Sequence, residues 1–131
     1  EMVKLYDIRI SADDPPVSAL SGGNAQKVII ARELSNGPEV LLASQPTRGV
    51  DIGATEFIHR SILALRDQGK AVFLISSELS EVKSLADRII VIHDGRIVGE
   101  FAAESVSFNE LGLYMSGAKE MKQLAGEGGN A

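Results

Sequence analysis

The sequence contains no cysteine, and it contains no long uninterrupted apolar run. Without cysteine, a disulfide framework, a thiolate zinc site and a cysteine nucleophile are all excluded. No stretch approaches the roughly 20 apolar residues that a membrane-spanning helix needs. The first residues, EMVKLY, resemble neither the apolar part of a signal peptide nor a cleavage site. Any role at a membrane would therefore require a partner.

A cluster of basic residues is also missing. The 13 Lys and Arg residues are outnumbered by 18 Asp and Glu, which gives a formal net charge of -5. Because no run of Lys and Arg could neutralise a phosphate backbone, nucleic-acid binding is disfavoured. With 131 residues, 44% of them hydrophobic, the chain is long enough for one modest domain or a part of one.

Short apolar runs alternate with segments of helical periodicity along the chain. This pattern predicts an α/β fold, in which a parallel sheet is flanked by helices. An Asp-Gly pair at 94–95 predicts a tight turn, so that the sheet ends in an antiparallel hairpin. The predicted strands lie at 40–43, 71–75, 88–93 and 96–101, and the predicted helices at 21–35, 52–67, 79–85 and 108–115.

The folded part of the chain is predicted at residues 18–116. Residues 1–18 form a connecting segment, because two consecutive prolines at 15–16 fit neither a helix interior nor a central strand. Residues 117–131 are polar and rich in glycine, which predicts a flexible tail.

The octamer at residues 20–27, LSGGNAQK, places a serine and two glycines directly at the start of a predicted helix. A helix N-terminus presents free backbone N–H groups and the positive end of the helix dipole. Glycine lets a phosphate approach the backbone closely, so this octamer is a candidate phosphate contact. The alternative for such a short motif is an ordinary capped helix after a loop.

The octamer resembles the signature motif of ATP-binding cassette (ABC) ATPases, in the version typical of sugar-type importers. Three further segments fit this family in order and spacing. Residues 46–51, PTRGVD, resemble the D-loop region; residues 76–79, SSEL, occupy the position of the switch histidine; residues 86–97 resemble the strand and hairpin that close the core. The resemblance covers about residues 18–116 and implies the C-terminal part of an ABC-type P-loop NTPase core.

The chain lacks the family's phosphate-binding P-loop. That loop requires Gly-x-x-x-x-Gly-Lys followed by Ser or Thr. The single Gly-Lys pair, at 69–70, is followed by Ala71 and has Ala64 where the first glycine is required. The resemblance therefore implies that this chain does not hold ATP by itself.

Two further positions depart from the family's pattern. The strand that precedes the D-loop, called Walker B, ends in the family in an Asp that holds Mg²⁺ and a Glu that positions water. This chain has Ser44 and Gln45 there, and it has Ser77 at the position of the switch histidine. A lost general base typically lowers the rate by about 10²- to 10⁴-fold. These degenerate positions predict that the chain alone does not hydrolyse ATP.

The resemblance also implies how the chain would take part in ATP hydrolysis. In this family two nucleotide-binding domains face each other head to tail, so each Mg²⁺-ATP lies between the P-loop of one and the signature of the other. In sugar-type importers both domains lie on one polypeptide, and the second domain is often the degenerate one. The chain would then serve its partner's ATP with Ser21, Gly22, Gly23, Asn24, Gln26 and Asp51.

The implied parent is the ATP-hydrolysing subunit of an importer for a simple sugar or a nucleoside. It would lie peripherally on the cytoplasmic face of the membrane, with permease subunits as partners and a substrate-binding lipoprotein as an indirect one. Two other functions remain open: a soluble, non-transport ABC ATPase, and a non-catalytic module that uses the signature helix for dimerisation.

The remaining titratable side chains suggest no second site. His59 and His93 have no further ligand at metal-binding spacing, so we expect no metal site in this chain. Glu78 and Glu81 lie near the switch position, where a pair of helix carboxylates predicts a solvated face.

A missing strand has consequences for the chain on its own. In the family the P-loop strand lies between the strands that correspond to 71–75 and 88–93. Without it, two strand edges would present unpaired N–H and C=O groups. Either the two strands close directly against each other, or a second copy lends an element by swapping. The second outcome predicts a dimer or a higher assembly.

Overall fold

The computed structural model describes residues 6, 8–10 and 16–121. The chain divides into two compact units, residues 1–81 and 82–131, and the two units are described separately below. Much of the predicted connecting segment lies outside the described residues. Its described end contains a short 3-10 turn at Val17–Ala19.

Every predicted helix and strand is present, with bounds that differ from the prediction by one residue at most. In chain order the elements are α1 Gly22–Ser35, β1 Val40–Ser44, α2 Ile52–Asp67, β2 Ala71–Ile75, α3 Leu79–Leu85, β3 Arg88–His93, β4 Arg96–Ala102 and α4 Phe108–Met115. The boundary between the two units falls within α3.

The first unit contains a parallel pair of strands. β1 and β2 run in register from Val40 beside Ala71 to Ser44 beside Ile75. Side chains alternate along β1, so that Leu41 and Ala43 are buried whereas Leu42 is 67% exposed. The apolar run predicts a strand covered on both faces, and this prediction is wrong for the face that carries Leu42. Nothing in the described part of the unit covers that face.

The apolar stripe of α2 forms the core of the first unit. Its buried residues recur at helical spacing, and Ile58 is 0% exposed. Ile52 begins the helix ahead of the stripe and is 80% exposed, although the sequence pattern includes it in the stripe. α1 packs on α2, with the ammonium of Lys27 5.2 Å from the ring centroid of Phe57. The pair Gln68-Gly69 predicts the end of α2, and Gly69 follows the helix with a φ of 81°.

The second unit is an antiparallel hairpin with one packed helix. β3 pairs with β4 through a tight turn in which Asp94 and Gly95 have φ angles of 47° and 73°. Two positive φ angles at an Asp-Gly pair match the predicted hairpin turn. Ser107 caps α4 by accepting from the Glu110 N–H at 3.1 Å, and Leu111 of this helix is fully buried.

The sheet topology confirms the predicted α/β class. Among the described residues, the first unit contains the parallel pair β1–β2 and the second unit contains the antiparallel hairpin β3–β4.

The predicted tail is described only from Gly117 to Met121. This stretch follows α4 and is hydrogen bonded: the Met121 N–H donates to the carbonyl of Val98 at 2.7 Å. We therefore place residues 117–121 with the hairpin, because a strand edge offers acceptors that a polar composition does not reveal. Residues 122–131 lie outside the described residues, and a flexible tail there stays a prediction.

Candidate functional site

The octamer forms the capped start of α1. Ser21 has extended backbone angles, and its Oγ accepts from the backbone N–H of Asn24 at 3.4 Å and from its side-chain amide at 3.1 Å. Asn24 Oδ1 in turn accepts from the Arg9 N–H at 3.0 Å. The cap and the first turn are thus held by Ser21 and Asn24, both of which the sequence predicts as site residues. Ser21 and Gly22 are exposed.

Gly23 lets α1 approach the start of α2. A Cβ atom at Gly23 would lie 2.9 Å from Asp51 Oδ2 and 3.1 Å from the Cβ of Ala54. Both distances are too short for a side chain on a rigid backbone. Asp51 caps α2 by accepting from the Ala54 N–H at 2.9 Å. A side chain at Gly23 would thus require Asp51 and Ala54 to shift, so glycine is favoured where the two helix starts meet, and the structure brings Gly23 and Asp51 together.

Gln26 connects α1 to the loop between β1 and α2. Its side-chain amide donates to the carbonyl of Pro46 at 2.8 Å. Gly22 faces the same loop, since a Cβ atom there would lie 3.5 Å from the Gly49 carbonyl oxygen. We call Ser21, Gly22, Gly23, Asn24, Gln26 and Asp51 the signature group. Its members lie in the first turns of α1 and at the cap of α2, and α1 contacts the loop that leads into α2.

The three positions that the sequence predicts to be degenerate form a second cluster, which we call the edge group: Ser44, Gln45 and Ser77. Ser44 ends β1 beside Ile75, and the Gln45 N–H continues the pairing to the Ile75 carbonyl at 2.7 Å. Gln45 Oε1 accepts from the Ser77 hydroxyl at 3.3 Å and from its N–H at 3.4 Å. The edge group therefore lies at the carboxyl end of the parallel strands, where α/β folds commonly place ligands.

The edge group contains no carboxylate. A side-chain amide and two hydroxyls donate and accept hydrogen bonds, but none carries a negative charge near neutral pH. Gln45 has a φ of 48°, which is uncommon for a residue with a side chain. The backbone is thus held in an unusual conformation at a position that has no carboxylate.

One carboxylate departs from its predicted environment. Glu78 is exposed as predicted, but Glu81 is only 4% exposed. Its Oε1 accepts from the Thr47 hydroxyl at 2.7 Å and lies 3.0 Å from Nε2 of His59. Helical spacing could have indicated this burial, because Glu81 lies one turn before the apolar Leu85 on α3. The prediction of a solvated face is therefore wrong for Glu81.

In the part of the chain that the structure describes, no helix is both long and apolar enough to span a membrane. Within the same residues, no group of three or more His, Asp or Glu side chains has an arrangement that could hold a metal ion.

Comparison with curated proteins found close relatives, although no protein-family model matches the chain. The chain is 49% identical over 117 residues to the nucleoside import ATP-binding protein NupA of Lactococcus lactis. It is 46% identical over 119 residues to the guanosine import ATP-binding protein NupO of Bacillus subtilis. These matches cover 89% and 91% of the chain but only 23% of each relative.

Other relatives differ in the substrate that their names give. The chain is 48% identical over 104 residues to the ribose import ATP-binding protein RbsA 2 of Rubrobacter xylanophilus, with 79% of the chain and 20% of that protein covered. The names of the relatives thus range over nucleosides and sugars. The chain spans less than a quarter of their length.

Solved structures with this fold are ATP-binding cassettes. The dimeric cassette MJ0796, in a post-hydrolysis state bound to ADP and Pi, aligns with a TM-score of 0.68 and 29% identity over 78% of the chain. A nucleotide-free cassette from an ABC transporter aligns with a TM-score of 0.67 and 25% identity over 88% of the chain. The chain covers 44% of each of these two structures.

Proposed function

Because the chain belongs to the ATP-binding cassette family, as a segment of the kind found in sugar and nucleoside import proteins, we propose that it supplies the signature side of an ATP site. The phosphates and Mg²⁺ would be held by a partner nucleotide-binding domain that has a P-loop. The signature group would contact that ATP in trans. The observation that supports this proposal is the close approach of the buried Gly23 to Asp51, which brings the signature and D-loop segments into contact.

The residues present fit one half of an ATP site and not the other. Ser21 and Gly22 are exposed at a capped helix start, where backbone N–H groups and the helix dipole favour a phosphate group. The edge group offers no carboxylate for Mg²⁺ and no general base. When bound, Mg²⁺-ATP supplies the phosphoryl group whose transfer to water drives transport. The role of this chain is to orient that ATP and to exclude water from it.

The parent protein is proposed as the ATP-binding subunit of an importer. Relatives named for nucleoside, guanosine and ribose import support a simple sugar or a nucleoside as the transported substrate. The P-loop partner would be a second domain of the same polypeptide, which the small share of each relative covered by the chain leaves room for. Permease subunits would hold the assembly at the cytoplasmic face of the membrane, with a substrate-binding lipoprotein as an indirect partner.

Nucleotide dependence separates this proposal from a dimerisation module. If α1 served only for association, the partner would bind equally well with and without ATP. A soluble ABC ATPase acting on nucleic acid is disfavoured by the formal net charge of -5.

We expect the chain alone neither to hydrolyse ATP nor to bind Mg²⁺-ATP tightly. The missing P-loop removes the phosphate cradle, and loss of the general base alone lowers rates by about 10²- to 10⁴-fold. Phosphate release and equilibrium dialysis on the purified chain measure both properties. As a matched positive control, the chain's sequence replaces the corresponding segment of NupA, and this NupA chimera should hydrolyse ATP. Turnover that stays with the isolated chain through a second purification would contradict the expectation.

We also expect the chain on its own to self-associate. The uncovered face of the β1–β2 sheet presents four apolar side chains in neighbouring registers. They are Val40, Leu42, Phe73 and Ile75, which are 65%, 67%, 54% and 44% exposed. Parallel sheets are normally covered on both faces, so a second copy is a suitable cover, by simple stacking or by swapping an element.

Light scattering across a dilution series measures this association. The mass should exceed that of a monomer and should fall on dilution. Phe73→Glu should weaken association by about tenfold or more, because it places a charge in the contact. Val17→Glu changes an exposed apolar residue outside the sheet and serves as the control. A monomeric mass at every concentration, with a cooperative melt, would show that no such association occurs.

A further inference from the structure

The buried carboxylate of Glu81 contacts two elements that the proposed ATP contact depends on. Its Oε1 accepts from Thr47 in the loop after β1 and lies beside Nε2 of His59 in α2, at 2.7 and 3.0 Å. The Glu81 side chain is 4% exposed and that of His59 22%. Hydrogen bonds to a carboxylate are shorter and stronger than those between neutral groups, particularly where water is excluded.

The loop that Glu81 contacts spans residues 45–50, between β1 and the cap of α2. We call it the 45–50 loop. Its own backbone bonds are long, at 3.2 Å from the Arg48 N–H to the Gln45 carbonyl and 3.3 Å from the Val50 N–H to the Thr47 carbonyl. Gln45 and Gly49 have positive φ angles of 48° and 75°. A backbone of this kind persists only where its surroundings hold it in place.

The signature group meets this loop at several points. Pro46 accepts from Gln26, Gly49 lies against Gly22, and Asp51 follows the loop directly and packs on Gly23. The first residue of the loop is Gln45, which contacts Ser77 of the edge group. A displacement of the loop would therefore move the signature group and the edge group together.

We infer that Glu81 is a positioning residue, which holds the 45–50 loop through Thr47 so that Asp51 and the exposed Ser21 and Gly22 face the partner's ATP. The inference rests on the proposed function, because it assigns the loop's position a use in ATP hydrolysis. Glu81 itself does not touch ATP. It acts through the hydroxyl of Thr47, and its contact with His59 fixes the carboxylate against α2.

Substitutions of Thr47 separate positioning from a general structural role. Thr47→Val keeps the shape of the side chain and removes the hydroxyl that Glu81 accepts from. Thr47→Ser keeps the hydroxyl and removes a methyl group. If the hydrogen bond is what matters, Ser should behave like Thr and Val should not. If only packing matters, the order should be reversed.

The first measurement is hydrogen exchange in the chain itself. Thr47→Val should raise the exchange rate of backbone amides in the 45–50 loop by about tenfold, because a bond to a charged acceptor is lost. Amides in the middle of α2 should keep their rates, and Thr47→Ser should match the unsubstituted chain. Unchanged loop exchange in Thr47→Val, or an equal rise throughout the first unit, would overturn the inference.

The second measurement is ATP turnover of the NupA chimera. Thr47→Val should lower kcat by about tenfold while the KM for ATP changes less than twofold, because the P-loop partner binds the nucleotide and the loop acts later. Thr47→Ser should retain most of the kcat. A Thr47→Val chimera with normal kcat would contradict a use of the loop in hydrolysis. Failure of the unsubstituted chimera to hydrolyse ATP would instead contradict the proposed function, and loop exchange would still decide whether Glu81 holds the loop.

Discussion

In the NupA chimera, Ser21→Arg and Gly22→Asp are each expected to lower ATP turnover by at least about 100-fold. The removal of one preorganised donor from a developing charge already costs about 10²- to 10³-fold in other enzymes. The two substitutions should lower the rate at least as much, because Arg adds bulk and Asp adds a negative charge where the phosphates of the partner's ATP must bind. Steady-state phosphate release measures the effect.

The structure supplies controls for this prediction. A Cβ atom at Gly22 has ordinary clearance within this chain, at 3.5 Å from the nearest atom, so substitutions at Gly22 should leave the fold intact, which circular dichroism of the variant checks. Ser77→Ala changes the edge group only and should alter turnover by less than about threefold. If Ser77→Ala were as damaging as the signature substitutions, the proposed division between the two groups would be wrong.

Ile58→Ala is expected to lower the free energy of unfolding by about 2–5 kcal/mol, the usual cost of truncating a fully buried aliphatic side chain. Ile58 is 0% exposed and lies in the middle of the α2 stripe. The transition midpoint in urea should fall by about 1 M or more. Chemical denaturation at one fixed protein concentration measures the change.

Ile52→Ala is the matched control, because it makes the same substitution in the same helix at a position that is 80% exposed. Its effect should stay within about 0.5 kcal/mol. Equal losses at Ile52 and Ile58 would show that the burial pattern of α2 is not the one described.

Local chemistry explains why the elements could be predicted so closely. Ser21 and Asp51 are helix caps, and Gly37 and Gly69 adopt the positive φ angles that end the segments before them. Asp94 and Gly95 form the hairpin turn. Each of these signals is contained within a few residues, so no knowledge of distant contacts is required.

Features that depend on distant contacts were predicted less well. The apolar runs at 40–43 and 71–75 predict strands, but they do not reveal that one face of the pair is open in the described residues. The burial of Glu81 depends on Thr47 and His59, which are 34 and 22 residues away along the chain. The pattern within α3 can indicate that Glu81 is buried, but it cannot show these partners.

In the candidate site too, features set by neighbouring residues could be predicted, whereas features set by distant contacts could not. The octamer indicates a capped helix with room for a phosphate, and the cap at Ser21 is as expected, whereas the cap at Asp51 was not predicted. The sequence contains no sign that Asp51 and Ala54 lie against Gly23 and leave little room for a side chain there. Nor does it show that Gln26 binds the loop after β1, since that contact joins two elements 20 residues apart.

The central claim, that Ser21 faces a nucleotide held by a P-loop partner, is tested most directly by thiol protection. The chain has no cysteine, so Ser21→Cys introduces the single thiol of this segment into the NupA chimera. Mass spectrometry of the peptide that contains residue 21 follows its alkylation. With Mg²⁺ and a slowly hydrolysed ATP analogue, alkylation should slow by about tenfold, whereas ADP should have little effect. Ser105→Cys, at an exposed position of the second unit, should react equally fast throughout. Equal alkylation of Cys at position 21 with and without the analogue would contradict the claim.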